Sequence, residues 1–361
     1  MLRKSSGGSE APGGEQPSVA EVIPNLDALA MVGMTPVRRL AALLSILVAF
    51  WLMLAAVPAA AQTVDPYPSR AVRVIVPFPP GGVVDLMARI LAQKLSDKFA
   101  QSFYIENHGG GGGNIGAVMA AQAPPDGHTL LVTSSAIVLN PVLHKVAYDP
   151  VGSFEVISIS STSPAALVVY PGLQAQTVGE LIELIRKEGG APYASAGIGT
   201  VNHLAGELFR LSTGLEMTHV PFPGAGPALS SVVGGHTKIA FLAVPSVIPF
   251  MKEGSVRVLA VTSRNRWIAT PEIPTLSELG LPDVVAETLI FVMAPKNTPG
   301  SVVGEINRAL VEIVHAPEVQ ERFAALGFNP VGSSPSGAAD QLRRELEKWT
   351  GVVTKANLKQ R

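Results

Sequence analysis

Three times in this chain an apolar run ends in a turn of glycine and proline and resumes as an amphipathic stretch. The turns are Pro77-Phe78-Pro79-Pro80-Gly81-Gly82 ahead of Val83, Ala194-Ser195-Ala196-Gly197-Ile198-Gly199-Thr200 ahead of Val201, and Val220-Pro221-Phe222-Pro223-Gly224-Ala225-Gly226 ahead of Pro227. Glycine lets backbone come close to a ligand, and the first turn of a helix presents unpaired N–H groups with partial positive charge. Several such turns facing one cleft would hold a carboxylate without arginine or lysine. A single glycine-rich turn is an ordinary packing device. Three of them, in both halves of the chain, favour an anion site.

Other chemistry has little foothold. Gly111-x-Gly113-x-x-Gly116 has the dinucleotide spacing, yet no acidic residue stands about twenty positions further on to meet a ribose, so no nucleotide cofactor is expected. The seven histidines form no H-E-x-x-H, and His203 with Glu207 is one i,i+4 pair, so no metal is expected. There is no cysteine, which excludes disulfides, thiolate metal sites and a lipidated N-terminal Cys. No G-x-S-x-G or S-x-x-K occurs for a serine nucleophile. Asp85 and Arg89, at i,i+4, read as a surface ion pair favoured by the helix dipole.

The elements that would carry these turns alternate short β-branched runs with amphipathic stretches, an α/β pattern. Strands are expected at 72–78, 103–106, 129–133, 193–195, 217–222, 238–243 and 257–262. Helices are expected at 83–98, 115–122, 177–187, 201–211, from 227, and at 301–315, 318–326 and 337–355. Thr177 and Glu180 form a capping box. The stretch Val156 to Tyr170 is too long for one ordinary strand, with Pro164 in its middle, and Val284 to Pro295 is a second long apolar run. Two α/β units joined by two extended segments suggest two lobes around a cleft at the carboxyl ends of strands, able to close by hinge motion.

The N-terminus reads as an address. Arg38-Arg39, an apolar run from Leu40 to Val57 and Ala59-Ala60-Ala61 have the order of a secretory signal peptide, with cleavage near Ala61-Gln62. An uncleaved anchor is the alternative, since the run is just long enough to span a bilayer. Residues 1–33 fit neither a signal nor a domain, and Met34 would give a signal of normal length. In the 361 residues, 27 Lys+Arg face 28 Asp+Glu, and this near-zero net charge gives no reason to expect nucleic acid as a partner.

At these motifs the chain resembles the tripartite tricarboxylate transporter receptors, the Bug family of extracytoplasmic solute receptors. The resemblance is carried in order by Tyr67-Pro-Ser-Arg70, Val76-Pro-Phe-Pro-Pro-Gly-Gly82, Gly112-Gly-Asn-Ile-Gly116, Pro125-Asp-Gly127, Tyr193-Ala-Ser-Ala-Gly197, His203-Leu-Ala-Gly-Glu-Leu-Phe209, Met217-Thr-His-Val-Pro221 and Arg257-Val-Leu-Ala-Val-Thr-Ser263. It covers essentially the whole mature chain. It implies a type II periplasmic-binding-protein fold, two α/β lobes joined by two crossing strands, and no enzymatic activity or cofactor. The expected division is 1–61 extension and signal, 62–165 and 289–361 the first lobe, and 166–288 the second.

The resemblance further implies a monomer in the periplasm that binds a small carboxylate and passes it to one large and one small membrane transporter subunit. A periplasmic sensor docking on a signalling protein needs the same cleft and remains the alternative. Carried over by position, the ligand would meet Phe78, Gly81, Gly82, Ser134 and Asn140 in the first lobe. In the second it would meet Ser195, Ala196, Gly197, Gly199, Thr200 and His203, then Phe222, Gly224, Gly226 and Ala228. Family members often carry Tyr-Lys at Phe222-Pro223, Asp at Leu242 and Trp at Leu289. The resemblance places Leu242 at the ligand as well, and these departures point to a less polar monocarboxylate rather than an amino acid.

Overall fold

In the computed structural model of this protein, residues 67–358 are described apart from Ala269, together with scattered positions between Thr35 and Trp51. Those scattered positions belong to a separate unit ending at Val64; Val37, Leu40, Leu43, Leu44, Leu47, Val48 and Trp51 are helical and exposed. The expected cleavage at Ala61-Gln62 and the stretch upstream of Met34 lie outside the described residues. Among the described residues no helix is long and apolar enough to cross a membrane.

The first lobe starts as β1 (Val72–Val76), α1 (Val83–Phe99), β2 (Phe103–Asn107), α2 (Asn114–Ala121), β3 (Thr129–Ser134) and α3 (Ala136–Leu143). A 3-10 turn at Gly111–Gly113 leads into α2. β1 pairs in parallel with both β2 and β3. Then comes β4 (Phe154–Val169), followed by α4 (Val178–Glu188), β5 (Ala191–Ser195), α5 (Val201–Thr213), β6 (Met217–Pro221), α6 (Ala225–Val233), β7 (Ile239–Ala243), α7 (Val244–Lys252) and β8 (Arg257–Val261). The chain returns through β9 (Glu287–Pro295) and ends in α8 (Gly300–His315), α9 (Pro317–Ala325), the short β10 (Asn329–Pro330) and α10 (Pro335–Lys355). The strand order is β2-β1-β3-β9-β4-β7-β5-β6, with β8 and β10 also on β4.

The run with Pro164 in its middle is one strand after all. β4 pairs antiparallel with β9 as far as Pro164, opposite Glu287, and from Ala165 it pairs with β7 and β8. Proline lacks an N–H and would break a ladder in mid-sheet; here it stands where the strand exchanges one set of partners for another. Irregularities between Val156 and Ser158 and between Ile159 and Ser161 bend the strand before that point.

Two helices escaped the sequence reading. In α3 nearly every side chain is apolar and Pro141 interrupts it; α7 contains Pro249 and has a proline in its first turn. Neither shows the one-sided polarity that marks a surface helix. The capping box at Thr177 forms with a shift: Thr177 Oγ1 accepts from Glu180 N at 3.2 Å, while the Glu180 carboxylate accepts from Gln176 N, one residue before the cap.

Apolar packing joins the layers. One core lies between β1, β9, α1 and α8, centred on Val74, Leu91, Val292 and Leu310. A second runs through both halves and includes Ile75, Ile137, Phe209, Phe241 and Trp349. Trp349 of α10 is fully buried in it, so this C-terminal helix holds material from both ends of the sheet. A third core packs Leu242 with Ala228, Leu229, Val247 and Trp267 under α6 and α7.

Candidate ligand-binding cleft

A cavity of about 440 Å³ opens where the carboxyl ends of β1, β3, β5 and β7 converge. Phe78 enters it just after β1, Ser134 from the end of β3, Ile198 to Asn202 from the turn after β5, and Ala243 from the end of β7. Gly111 and Gly112, α3 through Asn140, and Thr288 of β9 complete the wall. Ligands of parallel α/β sheets sit at this end because loops and helix N-termini converge there.

The lining is chemically simple. Phe78, Leu139, Leu143, Ile198 and Val201 are apolar; Ser134, Asn140, His144, Asn202 and Thr288 are polar; no Asp, Glu, Lys or Arg is among the lining residues. An anion here meets hydroxyl, amide and backbone donors.

The turn after β5 is held from behind. Thr200 caps α5, accepting from His203 N at 3.2 Å, and its hydroxyl donates to Gly197 O at 2.8 Å. Gly199 N donates to His203 Nδ1 at 3.1 Å. The His203 ring stacks on His219, whose Nε2 is 2.7 Å from Ser195 Oγ, and that oxygen accepts from Gly197 N at 3.2 Å. Burial pushes both imidazoles down to about 4, and at His219 the neighbouring His203 adds to the effect. A neutral His203 is required, because Nδ1 must accept from Gly199. Below the rings, Glu207 accepts from Tyr193 Oη at 2.6 Å and pairs with Arg210 at 2.8 Å.

Asp85 is no surface residue: it is 1 % exposed. Its carboxylate accepts from Gly81 N at 2.9 Å, Arg89 Nε at 2.9 Å and Asn107 Nδ2 at 2.8 Å, while Asn107 Nδ2 also reaches Phe78 O at 3.1 Å. Burial works against its charge, yet the hydrogen bonds from Arg89, Asn107 and Gly81 outweigh it and hold the carboxyl below its ordinary value. The ion pair read from the sequence is therefore the anchor of the turn that carries Phe78.

Of the residues expected at the ligand, Phe78, Ser134, Asn140, Gly199 and Thr200 line the cavity. Gly81 and Gly82 lie exposed in the first turn, outside the lining. Ser195 and His203 are buried behind the second turn, with Ala196 and Gly197 within it but outside the lining. The third turn packs against the second, Phe222 N donating to Ser195 O at 3.1 Å, and neither Phe222, Gly224 nor Gly226 reaches the cavity wall. Ala228 and Leu242 are fully buried in the third core, so their side chains cannot shape the ligand's polarity from there. Asn202, Thr288, Ser135 and His144 line the cavity without having been singled out. Asn202 had a detectable signal, a polar residue in the first turn of a helix that follows a glycine-rich turn.

A larger cavity of about 740 Å³ lies on the other face of β9, since Glu287 and Leu289 line it while Thr288 lines the cleft. Leu289 thus faces away from the site where a pocket residue was expected. In this rear cavity Glu345 accepts from Gln341, Lys348 and Trp349 at 3.0, 2.7 and 2.7 Å, so its charge is already satisfied. Burial raises the Glu287 carboxyl and lowers the Lys348 ammonium. The strand ends converge on the smaller cavity, and that is the candidate site.

Residues 87–358 match the tripartite tricarboxylate transporter family receptor. BugT of Bordetella pertussis is 35% identical over 305 residues, covering 83% of this chain and 94% of that protein. A solved periplasmic transporter is 35% identical with a TM-score of 0.68, covering 81% of this chain and 99% of its own. Rpa4515 of R. palustris, solved with adipate, is 31% identical with a TM-score of 0.68, covering 81% and 98%. These likenesses span both lobes and agree with a type II periplasmic-binding-protein fold; the matched proteins are receptors and transport proteins, not enzymes. The chain belongs to the tripartite tricarboxylate transporter receptor family, among the Bug solute-binding proteins.

Proposed function

We propose that this protein captures a small carboxylate in the cleft and delivers it to a membrane transporter of one large and one small subunit, working as a monomer in the periplasm after cleavage at Ala61-Gln62. The observation that carries the reading is a cavity at the strand ends, walled by neutral donors and apolar side chains and free of lining carboxylates. The family of transporter receptors and a relative solved with adipate support it. Phe78, Ser134, Asn140, Asn202 and Thr288 are the proposed ligand contacts, with Gly199 and Thr200 shaping the wall beside them. Residues 62–165 and 289–361 would form one lobe and 166–288 the other, with β4 and β9 as the hinge; the exchange of partners at Pro164 supports that division.

A thermal-shift panel of mono-, di- and hydroxycarboxylates on the mature chain tests the reading. A ligand at 100 times its Kd should add about 2.7 kcal/mol. If no carboxylate in the panel stabilises the protein, the function assigned here is wrong.

A further inference from the structure

The polarity of one amide decides what the ligand must carry besides its carboxylate. Asn140 Nδ2 donates to Gly112 O at 2.9 Å and to Asn114 Oδ1 at 2.9 Å. Tyr148 Oη lies 3.3 Å from the same Asn114 Oδ1 and 3.2 Å from Ile137 O, and its single proton serves one of the two. Turning the Asn140 amide over would set its oxygen against the Gly112 carbonyl, and a carbonyl cannot donate. The nitrogen is therefore committed to the protein, and the Oδ1 pole is left to accept from whatever fills the cavity.

Across the cavity the opposite polarity is on offer. Asn202, in the first turn of α5, lines the cavity while only 9 % exposed, and its amide makes no side-chain hydrogen bond among the described residues. Its nitrogen can donate to an anion held at the α5 N-terminus, where partial positive charge already favours one. Ser134 Oγ accepts from Ala136 N at 3.3 Å and keeps its proton for a ligand. Between the two poles the walls are the apolar Phe78, Leu139, Leu143 and Val201.

Resting on the carboxylate-receptor reading above, we infer that the ligand is a hydroxycarboxylate with an apolar body, its carboxylate at Asn202 and the α5 N-terminus and its hydroxyl donating to Asn140 Oδ1. An ammonium in place of the hydroxyl would find one neutral acceptor there and no carboxylate among the lining residues, which leaves most of its charge unsatisfied. A plain alkanoate would leave the Asn140 oxygen desolvated without a partner, the loss by which a polar site rejects an analogue lacking its hydroxyl.

The test is calorimetry on the mature chain with 4-methylpentanoate, its 2-hydroxy and 3-hydroxy derivatives, leucine, and adipate. One hydroxy acid should bind about tenfold or more tighter than 4-methylpentanoate, and leucine should bind weakest. Asn140→Leu should bring the ratio of hydroxy acid to parent close to one. Asn202→Leu should weaken both and keep the ratio. Thermal melts establish that each variant folds, with Asn140→Ser replacing Asn140→Leu if the larger side chain displaces Gly112. Equal affinity of parent and hydroxy acids, tightest binding by leucine, or binding of adipate alone would each overturn the inference while leaving a carboxylate receptor. Failure of all five would overturn the receptor reading with it.

Discussion

His203 and His219 stack with ring centroids 3.8 Å apart and planes 21° from parallel, one on α5 and the other on β6, directly behind the turn that faces the cleft. Both are held near 4 by burial, against an ordinary value of 6.5, so the unfolded chain binds more protons than the folded one between those limits. Their contribution is whole above pH 6.5 and is lost as pH falls toward 4. The loss has a slope of up to about 1.4 kcal/mol per pH unit for each ring. Urea denaturation of wild type and His219→Gln at pH 7, 6, 5 and 4.5 should show the gap between them narrowing with acidity. A gap that stays constant would mean the rings are not the titrating groups.

Asp85 is buried with three donors aimed at it. Asp85→Ala removes the acceptor of Gly81 N and of one Asn107 Nδ2 proton and should cost about 1–3 kcal/mol. Because Asn107 also holds Phe78 O, ligand affinity should fall too. Chemical denaturation and calorimetry on the same variant check both; a stability loss within about 0.5 kcal/mol would return Asp85 to the status of a surface charge.

Gly81 and Gly199 make a controlled pair. Both have positive φ, +80° and +76°, so valine at either position should cost about 1–2 kcal/mol of backbone strain. A Cβ at Gly81 would meet nothing within 4 Å, whereas one at Gly199 would lie 2.7 Å from Leu143 Cδ1 across the cleft. Only Gly199→Val should therefore remove ligand binding and, by X-ray scattering, prevent any decrease in radius of gyration when ligand is added. Equal affinity in the two variants would show that the space between Gly199 and Leu143 is not needed for ligand binding.

Leu242→Asp separates core from pocket. Leu242 is fully buried among Ala228, Leu229 and Trp267, so the new carboxylate would be desolvated without a partner. The expected result is a loss upwards of about 4 kcal/mol, read from the unfolding midpoint, rather than a change of ligand preference. A stable variant with altered selectivity would place this side chain at the ligand.

Much of this architecture was readable from periodicity. The helices at 83–99, 201–213 and 335–355 show one apolar face and a polar one, and the sequence reading found all three within a few residues. α3 was missed because burial on several sides leaves no polar stripe, and with it went the setting of Asn140. The glycine turns marked helix entries, but only the one after β5 brings its glycine to the cavity wall, and the N–H groups of Gly199 and Gly81 are already taken by side chains four residues on, His203 and Asp85. Thr288 could not be told from Glu287 or Leu289 without the strand's register, which assigns alternate residues to opposite faces.

β9 sits between β3 and β4, although residues 287–295 are made long after both. The first sheet therefore stays open, with unpaired strand edges, until about four-fifths of the chain is available. During synthesis the first half therefore cannot seal before the second has been made. The same delay makes folding slow, because the decisive pairing joins segments far apart in sequence. Truncation before residue 287 should leave two half-sheets exposed to aggregation rather than one folded lobe.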